Sequence, residues 1–248
     1  MRKNGFVGIL IIAFAAFNFM GCGIEDYPYI EAIPQSNITQ EMNNRATVRI
    51  PNTYAGTPFS HFAVFYRIYV SDIPQASTTV NSYQAINSTL ASDYSSFSSY
   101  IDSTTQVNVN MDSLFSGRGY KYLSLMDFNI NTVLSSSVLG TSLLFDFSSS
   151  KAPTIVAGSN TYTLWRSDGN GLFNPLPDRY FRNKEELSKS ENINSTTNAD
   201  VVNKSDIADG VRRYTYAAMF ITAVGINNVT YSYIYSTPSL IHVFQLPD

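Results

Sequence analysis

The 248-residue chain has 16 Lys or Arg residues against 19 Asp or Glu residues, which gives a formal net charge of −3. Because charged residues make up only 14% of the chain, no basic surface of the kind that binds DNA or RNA is expected. The single cysteine excludes an internal disulfide, and two histidines leave few groups for metal binding or acid–base catalysis. The 17 tyrosines favour strands, and the frequent Ser and Asn residues favour turns.

The first 22 residues form an export signal. A basic start at Arg2 and Lys3 precedes an apolar run over residues 6–20, and the small residue Gly21 precedes Cys22. Residues 19–22, Phe-Met-Gly-Cys, resemble the bacterial lipobox, and the chain is similar to spirochaete lipoproteins in its box. This resemblance implies a signal peptide over residues 1–21 and a diacylglyceryl group on the Cys22 sulfur. It also implies a location in a bacterial cell envelope, with the membrane as a partner.

Two other interpretations of this segment stay open. A membrane-spanning helix needs roughly 20 apolar residues to cross about 30 Å of hydrocarbon, which is more than residues 6–20 provide. An ordinary secretory signal would leave Cys22 as a free thiol. Under the lipoprotein interpretation, we expect a lipidated polar tether over residues 22–44 and a single folded domain over residues 45–248.

Two patterns predict the structure of the first half. Residues 45–50 alternate apolar and polar side chains up to Pro51, which predicts a half-buried strand. Residues 61–71 predict a central strand, because both of its faces are largely apolar. The charged end of the Arg67 side chain is expected to reach an edge of the sheet or solvent. One face carries Phe62, Val64, Tyr66, Ile68 and Val70, and the other carries Ala63, Phe65, Arg67 and Tyr69.

The next segment, residues 81–101, predicts a helix inserted between strands. Its apolar residues follow at steps of three and four, as on one face of a helix: Tyr83, Ile86, Leu90, Tyr94, Phe97 and Ile101. Further strands are predicted at 106–110, 120–128, 141–147, 161–166, 213–225, 230–238 and 239–246. A tight turn is predicted at 167–171, a loop at 129–140 and a long loop with a short helix at 174–209.

Three stretches resemble fibronectin type III domains. Residues 66–69 read Tyr-Arg-Ile-Tyr, residues 114, 117 and 120 are Leu, Gly and Tyr, and residues 213–238 have the layout of the last two strands. The resemblance implies a mainly β, immunoglobulin/fibronectin type III-like antiparallel sandwich with long loops. In that fold the hydroxyl of a tyrosine like Tyr120 ties a corner. Two small sandwiches separated near residues 148–157 are the alternative to one expanded domain.

The chemical groups favour binding over catalysis. His61 and His242 lie in strand patterns beside apolar residues, where structural histidines are common, so we predict no catalytic residue, metal site or cofactor. Loops longer than about 12–15 residues are often functional. We therefore expect Phe173, Tyr180 and Phe181, in the long polar region from 167 to 209, to form a binding surface for a protein or glycan. The alternative is that these aromatic residues cover a sheet face.

Three functions compete. The first is a lipid-anchored binding, adhesion or structural module that is not an enzyme. The second is an envelope-anchored glycan hydrolase with carboxylates such as Asp168 or Asp178 as acid and base, which would have to lie roughly 5–10 Å apart. The third is a carbohydrate-binding module, which predicts a flat row of exposed tyrosines.

Overall fold

The computed structural model of the protein describes residues 29–41, 43–74, 86–101, 115–148, 152–166, 181, 200–202, 204 and 207–247. This part of the chain is mainly β, as the sequence predicts. Its strands are β1 (Ile38–Glu41), β2 (Arg45–Arg49), β3 (Phe59–Ser71), β4 (Lys121–Tyr122), β5 (Ser124–Leu125), β6 (Ser142–Asp146), β7 (Thr154–Ala157), β8 (Asn160–Trp165), β9 (Val201–Val202), β10 (Tyr214–Ile226), β11 (Tyr233–Tyr235) and β12 (Ser239–Gln245). Its α-helices are α1 (Ser88–Ile101) and the single turn α2 (Ile130–Val133).

The strands form two sheets. Sheet 1 has the order β1-β2-β6-β7-β8-β5, and all of its pairs are antiparallel. Sheet 2 has the order β11-β10-β3-β4, with β12 also paired to β10 and β9 paired in parallel to β3. The buried side chains of the two sheets belong to one cluster, so the sheets pack face to face.

The centre of sheet 2 is the antiparallel pair of β3 and β10. The two 13-residue strands stay in register from Tyr214 opposite Ser71 to Gly225 opposite Phe59, with one irregularity near Val224. Because both strands are apolar on both faces, each can be buried from two sides. The prediction that the two most apolar strands pair near the centre is therefore confirmed.

Side chains of β3 alternate between two cores, as their sequence predicts. Those pointing toward sheet 1 join the core between the sheets: Phe62, Val64, Tyr66, Ile68 and Val70. Those on the opposite face join a second core: Ala63, Phe65 and Tyr69. We call that opposite face of sheet 2 the outer face.

Helix α1 covers part of the outer face and lies within the predicted range 81–101. Leu90 and Phe97 of its apolar stripe are buried in the second core, and Tyr94 packs against it. The Phe97 ring meets the Phe220 ring of β10 nearly edge on, with centroids 4.9 Å apart. The helix contains many serines, which are moderate helix formers, so this packing supplies much of its stability.

The folded domain begins before residue 45, which corrects the predicted tether over 22–44. Ile30 and Ile33 are buried in the core between the sheets, and β1 pairs with β2. The buried Ser239 hydroxyl donates a hydrogen bond to the Ile33 carbonyl. Residues 38–41 therefore form an edge strand rather than part of a tether.

Two other segments differ from the predictions. The predicted strand 120–128 is two short strands, β4 and β5, which pair with different sheets. Strand β7 was not predicted, and it pairs with β6, so residues 148–153 connect neighbouring strands of sheet 1. Within the described part of the chain, no helix has the length and apolar character needed to cross a membrane.

Candidate binding surface

Several predicted site residues lie outside the described residues. These are the lipidation residue Cys22, the loop aromatics Phe173 and Tyr180, and the carboxylates Asp168 and Asp178. The predicted turn at 167–171 and strand at 106–110 lie outside them as well.

Phe181 is described, and the prediction that it lies on a binding surface is wrong. Its side chain is fully buried in the core between the sheets. The ring meets the Tyr66 ring at 4.9 Å and the Phe147 ring at 5.9 Å between centroids, in edge-to-face geometry. Phe181 follows the alternative interpretation, in which loop aromatics pack onto a sheet.

Exposed tyrosines instead gather on the outer face of sheet 2, beyond the area covered by α1. Tyr122 of β4 is 43% exposed and Tyr233 of β11 is 61% exposed, while Tyr235 is half-buried. We call Tyr122, Tyr233 and Tyr235, with His61 of β3 beside them, the tyrosine patch. Exposed apolar groups that are contiguous often mark binding sites, so this patch is the candidate site.

The geometry of the sheet brings the patch together from three strands. The Tyr122 and Tyr235 hydroxyl oxygens are 3.4 Å apart, and the Tyr122 ring lies 4.3 Å from the buried Phe65 ring. The centroids of Tyr233 and Tyr235 are 6.5 Å apart, since side chains two residues apart on a strand share a face. The His61 ring meets the Tyr233 ring edge on at 6.3 Å.

The patch presents apolar rings and hydroxyl groups without charge. Burial lowers the pKa of His61 below its ordinary value, so its imidazole is neutral at pH 7. Each tyrosine adds a large apolar area and a hydroxyl that both donates and accepts hydrogen bonds. Such a surface can stack on the apolar face of a sugar ring or a protein side chain.

A buried polar cluster lies beneath α1. The Asp93 carboxylate of the helix accepts hydrogen bonds from Arg67 Nη1 at 2.9 Å, from Arg118 Nη1 at 3.1 Å and from the Tyr69 hydroxyl at 2.7 Å. Because the Tyr69 hydroxyl has one hydrogen, Tyr120 must donate to it across their 2.8 Å contact. The cluster links the helix to β3 through the Asp93 carboxylate, although the buried Arg67 Nε has no hydrogen-bond partner among the described residues.

This cluster differs from the sequence predictions in two respects. Arg67 is paired with Asp93 under the helix instead of reaching solvent. Tyr120 contacts the Tyr69 side chain, whereas a fibronectin-type corner tyrosine bonds to backbone. Burial raises the pKa values of Tyr69 and Tyr120 above their ordinary range, so both hydroxyls stay protonated at neutral pH.

Other described carboxylates also have cationic partners. Arg166 Nε donates to the Asp200 carboxylate at 2.9 Å in a pair that is almost fully buried, and the Asp200 carbonyl accepts from the Ile68 amide of β3. Asp146 pairs with Arg45, and Asp72 pairs with Lys204. The described residues contain no group of three His, Cys, Asp or Glu side chains that would bind a metal ion. These pairs stabilise the contacts between segments.

His242 of β12 is the second histidine and lies in the core. It is fully buried, and neither ring nitrogen has a hydrogen-bond partner among the described residues. Its ring meets the Phe244 ring edge on at 4.9 Å. Burial lowers its pKa to about 4, so it is neutral at pH 7.

The sequence contains a partial signal for the patch. Tyr233 and Tyr235 lie two residues apart, which places them on one side of an extended strand. The pattern predicts a strand but does not determine which of its two faces is covered by other segments. Comparison of the chain with protein-family models, with curated proteins and with solved structures gave no match, so the site is interpreted from its own geometry.

Proposed function

We propose that the protein is a lipid-anchored binding module of a bacterial cell envelope, held to a membrane through Cys22 and binding its ligand at the tyrosine patch. The observation that carries the binding role is the group of exposed, uncharged tyrosines on the outer face of sheet 2. The sequence before Cys22 supports the anchor.

We also propose an immunoglobulin/fibronectin type III-like sandwich as the scaffold. Sheet 1 contains the order β1-β2-β6 and sheet 2 the order β12-β10-β3, which correspond to the A-B-E and G-F-C orders of that fold. In this correspondence α1 is an insertion after strand C, and β7 and β8 are additions after strand E. Domains of this fold often present ligand surfaces on a rigid framework.

A carbohydrate is the ligand class that the patch favours. Neighbouring exposed tyrosine rings that carry hydroxyl groups suit sugars, which expose both C–H faces and hydroxyl groups. The hydrolase alternative has no comparable support, because its candidates Asp168 and Asp178 lie outside the described residues.

If Cys22 carries the lipid anchor, Cys22→Ala should change how the protein partitions between a detergent phase and an aqueous phase. Without the sulfur there is no site for the diacylglyceryl group, so the variant should move from the detergent phase to the aqueous phase. Phase separation in Triton X-114 measures this, and incorporation of labelled palmitate should be lost in parallel. A variant that stays in the detergent phase would refute lipidation at Cys22.

The patch predicts a loss of affinity for Tyr233→Ala. Truncating an aromatic anchor at a binding surface typically costs about 1–2 kcal/mol, which corresponds to roughly a tenfold weaker Kd. The full chain would first be screened on a glycan array, and the best glycan titrated against both proteins. Phe128→Ala is the matched control, since Phe128 is an exposed aromatic residue that packs on Tyr162 outside the patch.

The outcomes of this experiment test both the position of the binding surface and the class of its ligand. Binding that Phe128→Ala leaves unchanged and Tyr233→Ala weakens would support the patch. Equal effects of the two variants would place the binding surface elsewhere. If no glycan binds the wild-type chain, the carbohydrate ligand is rejected.

A further inference from the structure

The hairpin tip between β10 and β11 exposes the two most accessible large hydrophobic side chains of the described chain. Val229 is 86% exposed and Tyr231 is 84% exposed. We call residues 227–232 the tip. Its side chains lie outside the tyrosine patch and are not needed for the ligand site described above.

The tip is held in a fixed shape. The Asn227 side chain accepts hydrogen bonds from the amides of Val229 at 2.8 Å and Thr230 at 3.2 Å. The Asn227 backbone bonds to Tyr231 and Ser232, at 2.7 and 2.9 Å. Tyr231 has a φ of +54°, a left-handed conformation that bulky residues rarely adopt. The backbone therefore holds these exposed side chains in place against a local conformational preference.

The tip also lacks charge. Residues 214–247, which include β10, the tip, β11 and β12, contain no Asp, Glu, Lys or Arg. Charged side chains oppose entry into the headgroup and acyl boundary of a bilayer, whereas tyrosine is enriched there because its ring is apolar and its hydroxyl polar. A tip with Val and Tyr among Asn, Thr and Ser therefore suits a lipid surface.

The tip lies at the end of the domain where the described chain begins. The Tyr54 hydroxyl donates to the Glu31 carbonyl at 3.0 Å, and the Tyr54 ring is 5.1 Å from the Phe59 ring. Phe59 is paired with Gly225, and the Ile226 amide donates to the Pro58 carbonyl at 2.9 Å. These contacts connect the first described residues to the base of the tip.

Chain length keeps this end close to Cys22. Seven residues lead from Cys22 to Tyr29, and at about 3.3–3.6 Å per residue they reach at most about 25 Å. A lipid on Cys22 would thus hold the Glu31 end, and with it the tip, near the membrane. A single acyl chain binds a membrane only marginally, whereas the two chains of a diacylglyceryl group hold a protein stably. They do not fix the orientation of a domain that follows on a short linker, so a protein contact with the bilayer would supply that orientation.

We infer that the Val229 and Tyr231 side chains insert into the headgroup and acyl boundary of the bilayer that holds Cys22, and so fix the orientation of the domain on the membrane. This inference rests on the proposed lipid anchor. Since Tyr233 starts β11 directly after the tip, the tyrosine patch would face sideways just above the membrane surface.

Site-directed spin labelling tests the inference in the full, processed chain. A lipidated Cys22 has no free thiol, so Val229→Cys provides a unique labelling position. Val211→Cys is the matched control: Val211 is 46% exposed and precedes β10, whereas Val229 follows it, so the 13-residue strand separates them. Both proteins would be reconstituted into vesicles of phosphatidylethanolamine and phosphatidylglycerol.

The readout is accessibility of each label to oxygen, which concentrates in lipid, and to a water-soluble nickel chelate. We expect a higher ratio of oxygen to nickel accessibility at position 229 than at position 211. Equal ratios at the two positions would overturn the inference. A 229 label shielded from both reagents would also overturn it, since this indicates contact with protein.

Failure of the anchor itself would look different. If Cys22 is not lipidated, the wild-type chain will react with the thiol label and will not float with the vesicles. If the anchor holds, the wild-type chain floats unlabelled, and the two valine positions alone decide the contact of the tip.

Discussion

Replacing Asp93 with alanine is expected to lower the free energy of unfolding by about 3–5 kcal/mol. The Asp93 carboxylate is almost fully buried beneath α1 and accepts hydrogen bonds from Arg67, Arg118 and Tyr69. Its removal leaves Arg67, whose side chain is only 18% exposed, without its counter-ion. Urea unfolding of the full chain measures the change, with the slope of the transition checked for two-state behaviour.

Asp72→Asn is the control for this prediction. Asp72 is also ion-paired, with Lys204, but its side chain is 35% exposed, and exposed pairs contribute little to stability. A double variant, Asp93→Ala with Arg67→Met, should recover part of the loss, because it removes the buried charge that the single variant strands. A loss below about 1 kcal/mol for Asp93→Ala would contradict the prediction. It would mean that the cost of desolvating these charged groups cancels the free energy gained from their hydrogen bonds.

Stability is expected to fall by about 2 kcal/mol between pH 7.5 and pH 5 because of His242. Burial lowers the pKa of His242 to about 4 in the folded state, against an ordinary value of 6.5 in the unfolded chain. Between these values the unfolded state binds the proton more tightly, so acid favours unfolding. The contribution is fully present above pH 6.5 and is lost as the pH falls toward 4.

Unfolding measured by urea at several pH values tests this assignment. His242→Leu should remove most of the dependence of stability on pH and keep or raise stability at pH 7.5. It replaces a buried ring whose nitrogens have no hydrogen-bond partner among the described residues. The pKa of His61 is also lowered by burial, so His61→Gln serves as the comparison. This variant should remove a smaller part of the dependence of stability on pH than His242→Leu does. An unchanged dependence on pH in His242→Leu would show that other groups govern the acid response.

The structural features that follow from the spacing of residues close together in the sequence could be predicted. Alternation in residues 61–71 assigned the apolar side chains from Phe62 to Val70 to the correct faces, because successive side chains of a strand point to opposite sides. The three-and-four spacing likewise located α1, since those steps repeat on one face of a helix. These periodicities are local, so they need no knowledge of the partner elements.

The candidate site was beyond such prediction. Phe181, expected on the surface, is fully buried, while Tyr233 of an ordinary-looking strand is exposed. Whether an aromatic side chain is covered depends on which segment packs over it, and α1 covers only one part of the outer face of sheet 2. The sequence of either segment alone does not contain that information.

By itself the sequence determined the mainly β class, the central strands, the inserted helix and the low charge that argues against nucleic-acid binding. Only the tertiary structure decided that Tyr122, Tyr233 and Tyr235 form one patch and that Asp93 is paired with Arg67 and Arg118. The physical reason is that periodicity fixes the face of a side chain within its own element. Contacts between residues as distant as 61 and 233 follow from strand order and layer packing, which the whole chain determines together.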